Sequence, residues 1–469
     1  MRTLIPRLRV AILLALVAGC SQPSRDYTGV ASDPELLHAA VWAVTEAMMQ
    51  SVTSPPVAAR TYAYSSVAAY EALRHGHEGY RSLAGQLNEL QPVPEPEPGV
   101  EYLLPLAGVN AFLTVAEALV FAPEKVAAHR DTLIRRLREN GIPKRVLERS
   151  FEYGAAVARH VLDWAATDNI KLARAAPRLQ IRHEPGLWVP TPPGYMDAVE
   201  PNWWMLRPFV LDSAAEVVPP PPVPYDMRKG SPFYRLVMEV YETGKNLTPE
   251  QRWIAGFWDC NPFTVYPEGH FMSSAKKITP GGHWMGITAI AMRQTGADMM
   301  RSAEAYARVA IALSDAFVSN WREKYRSVRV RPVTVIQERI DPTWEPLLQT
   351  PPFPEYTSGH SVISTAAAEV LTDLLGEEFA FTDDTELPFG IAPRSFRSFR
   401  EAAAEAAISR LYGGIHYRDA IEDGVVQGRA IGRAVVARVH TSPPRITHAG
   451  SGDAQAGGPG GAEPPAANL

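Results

Sequence analysis

Three short segments of the 469-residue sequence combine cations, small residues and histidines where a helix begins or ends. In Lys324-Tyr325-Arg326-Ser327-Val328-Arg329-Val330-Arg331-Pro332, Lys324 and Arg331 stand seven apart, so two helical turns would put both on one face. Pro332 biases Arg331 away from helix, which suits a guanidinium projecting from a helix end. Phe353-Pro354-Glu355-Tyr356-Thr357-Ser358-Gly359-His360 leads straight into an apolar helix. The Ser358 hydroxyl and Gly359 at that start make an anion site, with free N–H groups, the positive end of the dipole and no obstructing side chain. His360, beside it, is the residue type suited to proton transfer near neutral pH. In Ser409-Arg410-Leu411-Tyr412-Gly413-Gly414-Ile415-His416-Tyr417-Arg418-Asp419, Arg410 ends one helix and His416 precedes the next. A six-residue step does not align these two on one helix, so the glycine turn must bring them together. Singly, each segment also reads as something bland: a solvated basic face, a helix cap, a loop histidine.

The elements that must position these residues are mostly helical. Apolar periodicity marks amphipathic helices at His38–Ser51, Ala58–Leu73, Tyr102–Phe121, Ala127–Asn140 and Lys144–Ala166. It resumes at Pro232–Thr243, Pro249–Phe257, Gly282–Thr295, Ala303–Tyr325, Gly359–Leu375, Ser398–Leu411 and Ala420–Val439. Between the two sets, Leu172 to Pro232 is crowded with prolines and holds Trp188, Trp203 and Trp204, which predicts an irregular but packed crossing. Glu377–Phe389 reads as a turn-rich excursion of hairpin type. The fold class is mainly α: a helical bundle with long irregular crossings and little β.

Composition narrows the function. Hydrophobic residues are 46% and charged residues 21% of the chain, an ordinary globular balance with material for a large core. The 46 basic and 51 acidic residues give a net charge of −5, so no cationic field draws the chain to nucleic acid. At the N-terminus, Arg2, Arg7 and Arg9 precede a short apolar run, Val10 to Ala18, closing on Val17-Ala18-Gly19-Cys20. This is the layout of a secretory signal, too short to span a membrane. It resembles the bacterial lipoprotein signal, in which the cysteine is acylated, so Cys20 is the expected lipidation site. Residues 1–19 are then the signal peptide, 20–33 a polar tether, 34–440 the helical domain and 441–469 a disordered tail. Within the domain, N-terminal helices (34–225) precede an active-site bundle (226–440). Cys260 is left as the one ordinary thiol, expected to be a small buried apolar residue.

Taken in order, Lys-(six)-Arg-Pro, Ser-Gly-His and Ser-Arg-(five)-His resemble the three-part signature of the phosphatidic acid phosphatase type 2 and vanadium haloperoxidase superfamily. Trp188-Val189-Pro190-Thr191-Pro192-Pro193, Pro201-Asn202-Trp203 and Pro55-Pro56-Val57-Ala58-Ala59-Arg60 extend the likeness to the bacterial haloperoxidase-like branch, over roughly residues 34 to 440. The resemblance implies that Lys324, Arg331 and Arg410 neutralise a bound phosphate or vanadate, with Ser358 and Gly359 completing the cradle. It implies His416 as the vanadium ligand or phosphorus nucleophile, His360 as the acid–base group, and Lys324 as the group that activates bound peroxide. It also implies Trp321 and Phe353 as aromatics on the halide side. Two departures stand out. Thr357 replaces the usual proline before Ser-Gly-His. Ala420 replaces an aspartate that commonly orients the second histidine, leaving Asp419 or Asp259 as candidates for that task. His270 and His283 lack the spacing of a zinc site and read as ordinary loop or surface histidines, with a place as second histidines near the site as the alternative.

The leading expectation is a vanadate-dependent peroxidase that oxidises halide with hydrogen peroxide. An acid phosphatase working through a phosphohistidine is the alternative, and a non-catalytic anion-binding lipoprotein is a third. Expected partners are small molecules (peroxide and halide, or a phosphate ester) and a membrane reached through the Cys20 lipid, with no nucleic acid. Ser21 after Cys20 points to the outer membrane, facing the periplasm. Relatives are often oligomeric, though nothing in this sequence shows an interface between copies.

Overall fold

Helical periodicity in the N-terminal part becomes α1 (Tyr27–Ala31), α2 (Glu35–Gln50), α3 (Pro55–Arg74), α4 (Leu104–Leu119), α5 (Pro123–Glu139), α6 (Lys144–Ala165) and α7 (Ile170–Ala175). After a long crossing come α8 (Pro232–Lys245), α9 (Pro249–Phe257), α10 (Pro280–Thr295), α11 (Met299–Ser327), α12 (Pro332–Arg339), α13 (Gly359–Leu375), α14 (Phe399–Tyr412) and α15 (Arg418–Arg438). These belong to a computed structural model that describes residues 27–268, 271–274 and 277–442. The signal segment with Cys20, His270 and the tail beyond residue 442 lie outside the described residues.

Two helices organise the rest. In α3, Pro55 and Pro56 occupy the first turn, where proline's missing N–H costs nothing. Every residue from Pro55 to Leu73 is buried, as expected of a helix wrapped on all sides. The 29-residue α11 starts on Asp298, whose carboxylate accepts the Arg301 N–H at 2.7 Å, and runs between α3 and α13. One apolar core cluster has members from Ala31 to Val439 and joins N-terminal to C-terminal helices. Helix α1 forms at Tyr27 and buries Ala31.

Helix α15 approaches α13 through glycine. Gly424, Gly428 and Gly432 repeat every four residues on one face. A Cβ at Gly428 would stand 2.1 Å from the Val362 carbonyl oxygen, and one at Gly432 2.8 Å from that of Ala366. Only hydrogen fits there, and the two backbones close together. The Ser358 N–H donating to the Ala420 carbonyl (2.9 Å) ties the starts of these helices to each other.

The proline-rich crossing is packed, as expected, with Trp188 and Trp203 buried. It acts as a strap across α11. The buried Asp315 carboxylate accepts the N–H groups of Phe209, Val210 and Leu211 at 2.6, 2.8 and 3.0 Å. Burial nevertheless lifts its pKa to about 6. The Val199 carbonyl receives the Trp321 indole (3.2 Å) and the Tyr325 hydroxyl (2.6 Å).

Among the described residues strand forms two hairpins: β1 (Val265–Glu268) with β2 (Phe271–Ser274), and β3 (Phe381–Asp383) with β4 (Arg394–Phe396). The second lies where an excursion was expected but reaches past Phe389, with Phe381 opposite Phe396.

The glycine seam supplies a test. Gly428→Ala should cost about 1–3 kcal/mol or more, the range for forcing a methyl into a filled space. Chemical denaturation checks it, and an unchanged midpoint would mean that the seam does not hold the two helices.

Candidate active site

The three motif segments converge at four helix ends: the C-termini of α11 and α14 and the N-termini of α13 and α15. Lys324 and Arg331 do not share a helix face as their spacing predicted. Helix α11 stops at Ser327, and Val328 adopts a left-handed conformation (φ 46°) that is strained for a β-branched residue. The chain then runs extended, with the Val330 N–H donating to Gly186 (3.0 Å) and the Val328 carbonyl accepting from Trp188 (2.8 Å). Arg331 is the N-cap of α12, held extended ahead of Pro332 as its proline neighbour required. Both cations end 5.2 Å from the centre of the Phe353 ring.

Each cation is buried and satisfied largely by main chain. The Lys324 ammonium donates to the carbonyls of Pro354 (3.1 Å), Glu355 (3.0 Å) and Thr357 (2.6 Å). All three of its donors are thereby engaged. Arg331 donates from Nε to Phe353 (2.9 Å) and from Nη1 to Ile415 (2.8 Å). Arg410, in the last turn of α14, donates to the Ser409 hydroxyl (2.9 Å) and the Trp258 carbonyl (2.6 Å). Burial pulls the pKa of Lys324 well below the usual amine range, and Arg331 adds to that. Arg331 itself falls to about 10 through burial.

His416 follows the Gly413-Gly414 turn. Gly414 sits at φ 75°, where a side chain would also press on Pro346 and Trp344. The imidazole Nδ1–H donates to Glu355 Oε1 (2.9 Å), while Nε2 accepts from Arg331 Nη1 (3.1 Å). These two bonds fix the tautomer and leave Nε2 as the base. Burial, then Arg331, Lys324, Arg410 and Arg329, hold the His416 pKa well below the ordinary imidazole range.

The orienting acid is therefore Glu355, not Asp419 or Asp259. The same Oε1 also accepts the Tyr417 N–H at 2.9 Å. Asp419 instead grips Arg329 with two bonds of 2.8 Å, and Asp259 pairs with Lys277. Asp419 stands beyond Tyr417 at the start of α15, where Arg329 already claims its carboxylate; Asp259, after α9, is likewise claimed. Glu355 lay inside the quoted second motif, an acid in an otherwise apolar and hydroxyl-bearing stretch, and that contrast was the signal. Arg329, buried against Glu355 Oε2 at 3.4 Å, carried no such signal: nothing in its spacing separates it from the neighbouring cations.

Ser358 caps α13, accepting from the Ser361 N–H (3.4 Å), so the first-turn amides of Gly359 and its successor open outward. His360 hydrogen-bonds the Trp258 backbone, and its Nε2 is buried without a partner. Burial and the nearby Arg410 and His416 push its pKa well below the usual value. Thr357 is not idle in place of proline. Its hydroxyl donates to Gln427 Oε1 (2.6 Å) and accepts from Asn320 (2.8 Å), pinning the loop between α11 and α15.

A narrow cleft opens on this cluster, lined by Gly359, His360, Arg410, His416, Trp321 and Phe353, with Cys260 in its wall. Trp321 and Phe353 touch with ring centres 5.0 Å apart. His283 is no surface histidine: it is fully buried in α10, with Nδ1 3.3 Å from Cys260 Sγ and Nε2 2.8 Å from Asp383.

The arrangement fits a tetrahedral oxyanion. Lys324, Arg331 and Arg410 bring three buried cationic side chains to the site, and Arg331 Nη2 and His360 Nε2 are buried donors or acceptors left without a partner. Glu355→Gln removes the charge that fixes His416 and should weaken orthovanadate binding about 10–100-fold, the usual cost of an outer partner. In the wild type, Nε2 stays unprotonated as pH falls through the ordinary imidazole pKa, so affinity should not drop over that interval. Vanadate titration at several pH values measures both; equal affinity of the variant, or a loss centred on the ordinary pKa, would contradict the geometry.

A family model described as the VCPO second helical-bundle domain matches residues 304–443, which carry all three motifs. A crystal structure described as the first bacterial vanadium-dependent iodoperoxidase is similar at 46% identity, over 88% of this chain and 98% of that one, with a TM-score of 0.83. Holo and apo structures of a bacterial vanadium-dependent chloroperoxidase share the fold at 15% and 16% identity, each with a TM-score of 0.63. They cover 82% of this chain and 92% and 94% of their own. A search of the curated proteins finds no match. Identity of this extent over nearly the whole of a solved relative, together with the motif-bearing bundle, places the chain in the vanadium-dependent haloperoxidase family.

Proposed function

We propose that the protein is a vanadate-dependent haloperoxidase that oxidises iodide with hydrogen peroxide. The observation that carries the reading is the buried cation cage, with His416 held neutral and its Nε2 turned towards Arg331. When bound, vanadate supplies the means of activating peroxide so that one of its oxygens passes to halide, giving hypohalous acid and water. The iodoperoxidase relative supports iodide, the most polarisable and least hydrated of the common halides, which suits a cleft walled by Trp321 and Phe353.

The residues divide the work. His416 Nε2 would hold the vanadium, and Glu355 keeps that nitrogen's lone pair free by accepting the hydrogen bond of Nδ1–H. Lys324, Arg331 and Arg410 balance the oxyanion charge, with Ser358 and the Gly359 amide at the α13 N-terminus completing the cradle. Arg331 Nη2 is ready to donate without breaking an existing bond, whereas Lys324 must release a carbonyl to do so. His360, neutral at rest, takes up and delivers the proton that the reaction consumes, since its Nε2 has no other partner. Trp321 and Phe353 exclude water, which strengthens every charge interaction inside.

The purified chain, prepared without phosphate and loaded with orthovanadate, should oxidise iodide in a peroxide-dependent assay. His416→Ala should lower the rate at least about a hundredfold, as loss of an essential group does. Release of p-nitrophenol from its phosphate, inhibited by vanadate and without halide oxidation, would replace this reading with the phosphatase one. Binding of vanadate with silence in both assays would favour a non-catalytic anion carrier.

The N-terminal sequence supports a lipid anchor on Cys20 and a place in the bacterial cell envelope, at the outer membrane facing the periplasm. Among the described residues no helix is long and apolar enough to cross a membrane. Cys20→Ala should move the full-length protein from the detergent phase to the aqueous phase in detergent partitioning. Unchanged partitioning would rule out the anchor.

A further inference from the structure

We infer that Cys260, His283 and Glu386 form a binding site for a zinc-type divalent metal, separate from the oxyanion cage. Three segments distant in sequence meet there: the turn after α9, the first turn of α10, and the connection from β3 to β4. Cys260 Sγ lies 3.3 Å from His283 Nδ1 and 3.9 Å from Glu386 Oε1, and His283 Nδ1 lies 3.4 Å from that same oxygen. A tetrahedral zinc ion with ordinary Zn–S, Zn–N and Zn–O bonds separates its ligand atoms by about 3.4–3.6 Å. The triangle of donors is thus already near the size a metal requires.

The surroundings agree. His283 is 0%, Cys260 1% and Glu386 5% exposed, so all three donors are buried together. His283 Nε2–H donates to Asp383 Oδ2 (2.8 Å), and Asp383 is fixed in turn by the Thr385 N–H (3.1 Å) and hydroxyl (2.6 Å). A carboxylate behind a ligating histidine selects the tautomer that leaves the other nitrogen free for metal. The ring is further locked by stacking on Trp258, centres 4.7 Å apart. One thiolate, one imidazole and one carboxylate suit zinc, with water in the fourth position. Binding would release the Cys260 thiol proton to solvent and leave the thiolate and the carboxylate to balance the dication.

The site has a consequence for the cleft. Cys260 is in the cleft wall, and Trp258, two residues earlier, offers the carbonyl that takes the Arg410 guanidinium at 2.6 Å. His360 bonds the same backbone. A metal here would clamp the α9–α10 connection and hold both groups in place, making Cys260, His283 and Glu386 positioning residues for the neighbouring site.

The test is metal content by inductively coupled plasma mass spectrometry on full-length protein supplied with zinc and orthovanadate and freed of excess. The wild type should carry about one zinc per chain, reduced at least about tenfold in Cys260→Ser and Glu386→Gln, with affinity set by donors as in other built sites. His416→Ala should lose vanadium and keep its zinc, which separates this site from the cage. Since the variants could misfold, the wild type is also stripped with chelator and refilled with cobalt, which should give tetrahedral d–d bands and a thiolate charge-transfer band. No zinc and no cobalt bands in the wild type would overturn the proposal and leave a hydrogen-bonded thiol–imidazole pair. Zinc that persists in both variants would overturn it too, by placing the ion elsewhere.

Discussion

Burying positive charge without equal negative charge is the constraint on which this structure turns. Lys324, Arg331 and Arg410 are each almost wholly buried around one cleft, and Glu355 is the carboxylate that acts most strongly on Lys324 and Arg331. An ion taken out of water costs several kcal/mol unless it is answered in place. The answer is main-chain oxygen: carbonyls of 354, 355 and 357 for the lysine, of 353 and 415 for Arg331, and of 258 for Arg410. Carbonyls can point at a cation only where they are not spent inside a helix. That is why all three segments lie at helix ends and why the connecting loops are buried and irregular. What remains uncompensated is positive, and it is what an oxyanion would complete.

Much of the scaffold serves to keep those loops in place. The strap from 186 to 211 bonds to the extended segment through Gly186 and Trp188, and to α11 through Asp315. The glycine face of α15 lets α13 come close enough for the Ser358 N–H to reach the Ala420 carbonyl. Thr357 then does with two hydrogen bonds what a proline does by restricting φ: it stiffens the loop that supplies the lysine's carbonyls. Glu355 joins the two systems, because one carboxylate orients His416 and also faces Arg329.

How much of this the sequence showed follows from the range of the forces involved. Helix starts with a capping hydroxyl were readable: α13 begins at Gly359 after Ser358, and α9 at Pro249 after Thr248, whose capping box with Gln251 is complete. Helix α3 starts three residues ahead of the expected Ala58, because Pro55 and Pro56 form its first turn. The cations and histidines were visible from residue type and order. Their route to one point was not, since the left-handed Val328 cancels the helical spacing of Lys324 and Arg331. Glu355 and His283 escaped for a related reason. Each takes its meaning from partners, His416 at 61 residues' distance and Asp383 at 100, that no local pattern connects. The β1–β2 hairpin, four residues a side with Pro267 in it, carries no alternation to read.

The central claim is that this cage holds vanadate through His416. A crystal structure of the vanadate-loaded protein, with anomalous scattering measured at the vanadium edge, tests it most directly. The account predicts one vanadium peak at bonding distance from His416 Nε2, with Arg331 and Arg410 on its oxygens and the Nδ1–Glu355 hydrogen bond intact. A peak bound through His360, or one outside the cleft with His416 still bonded to Arg331, would contradict it.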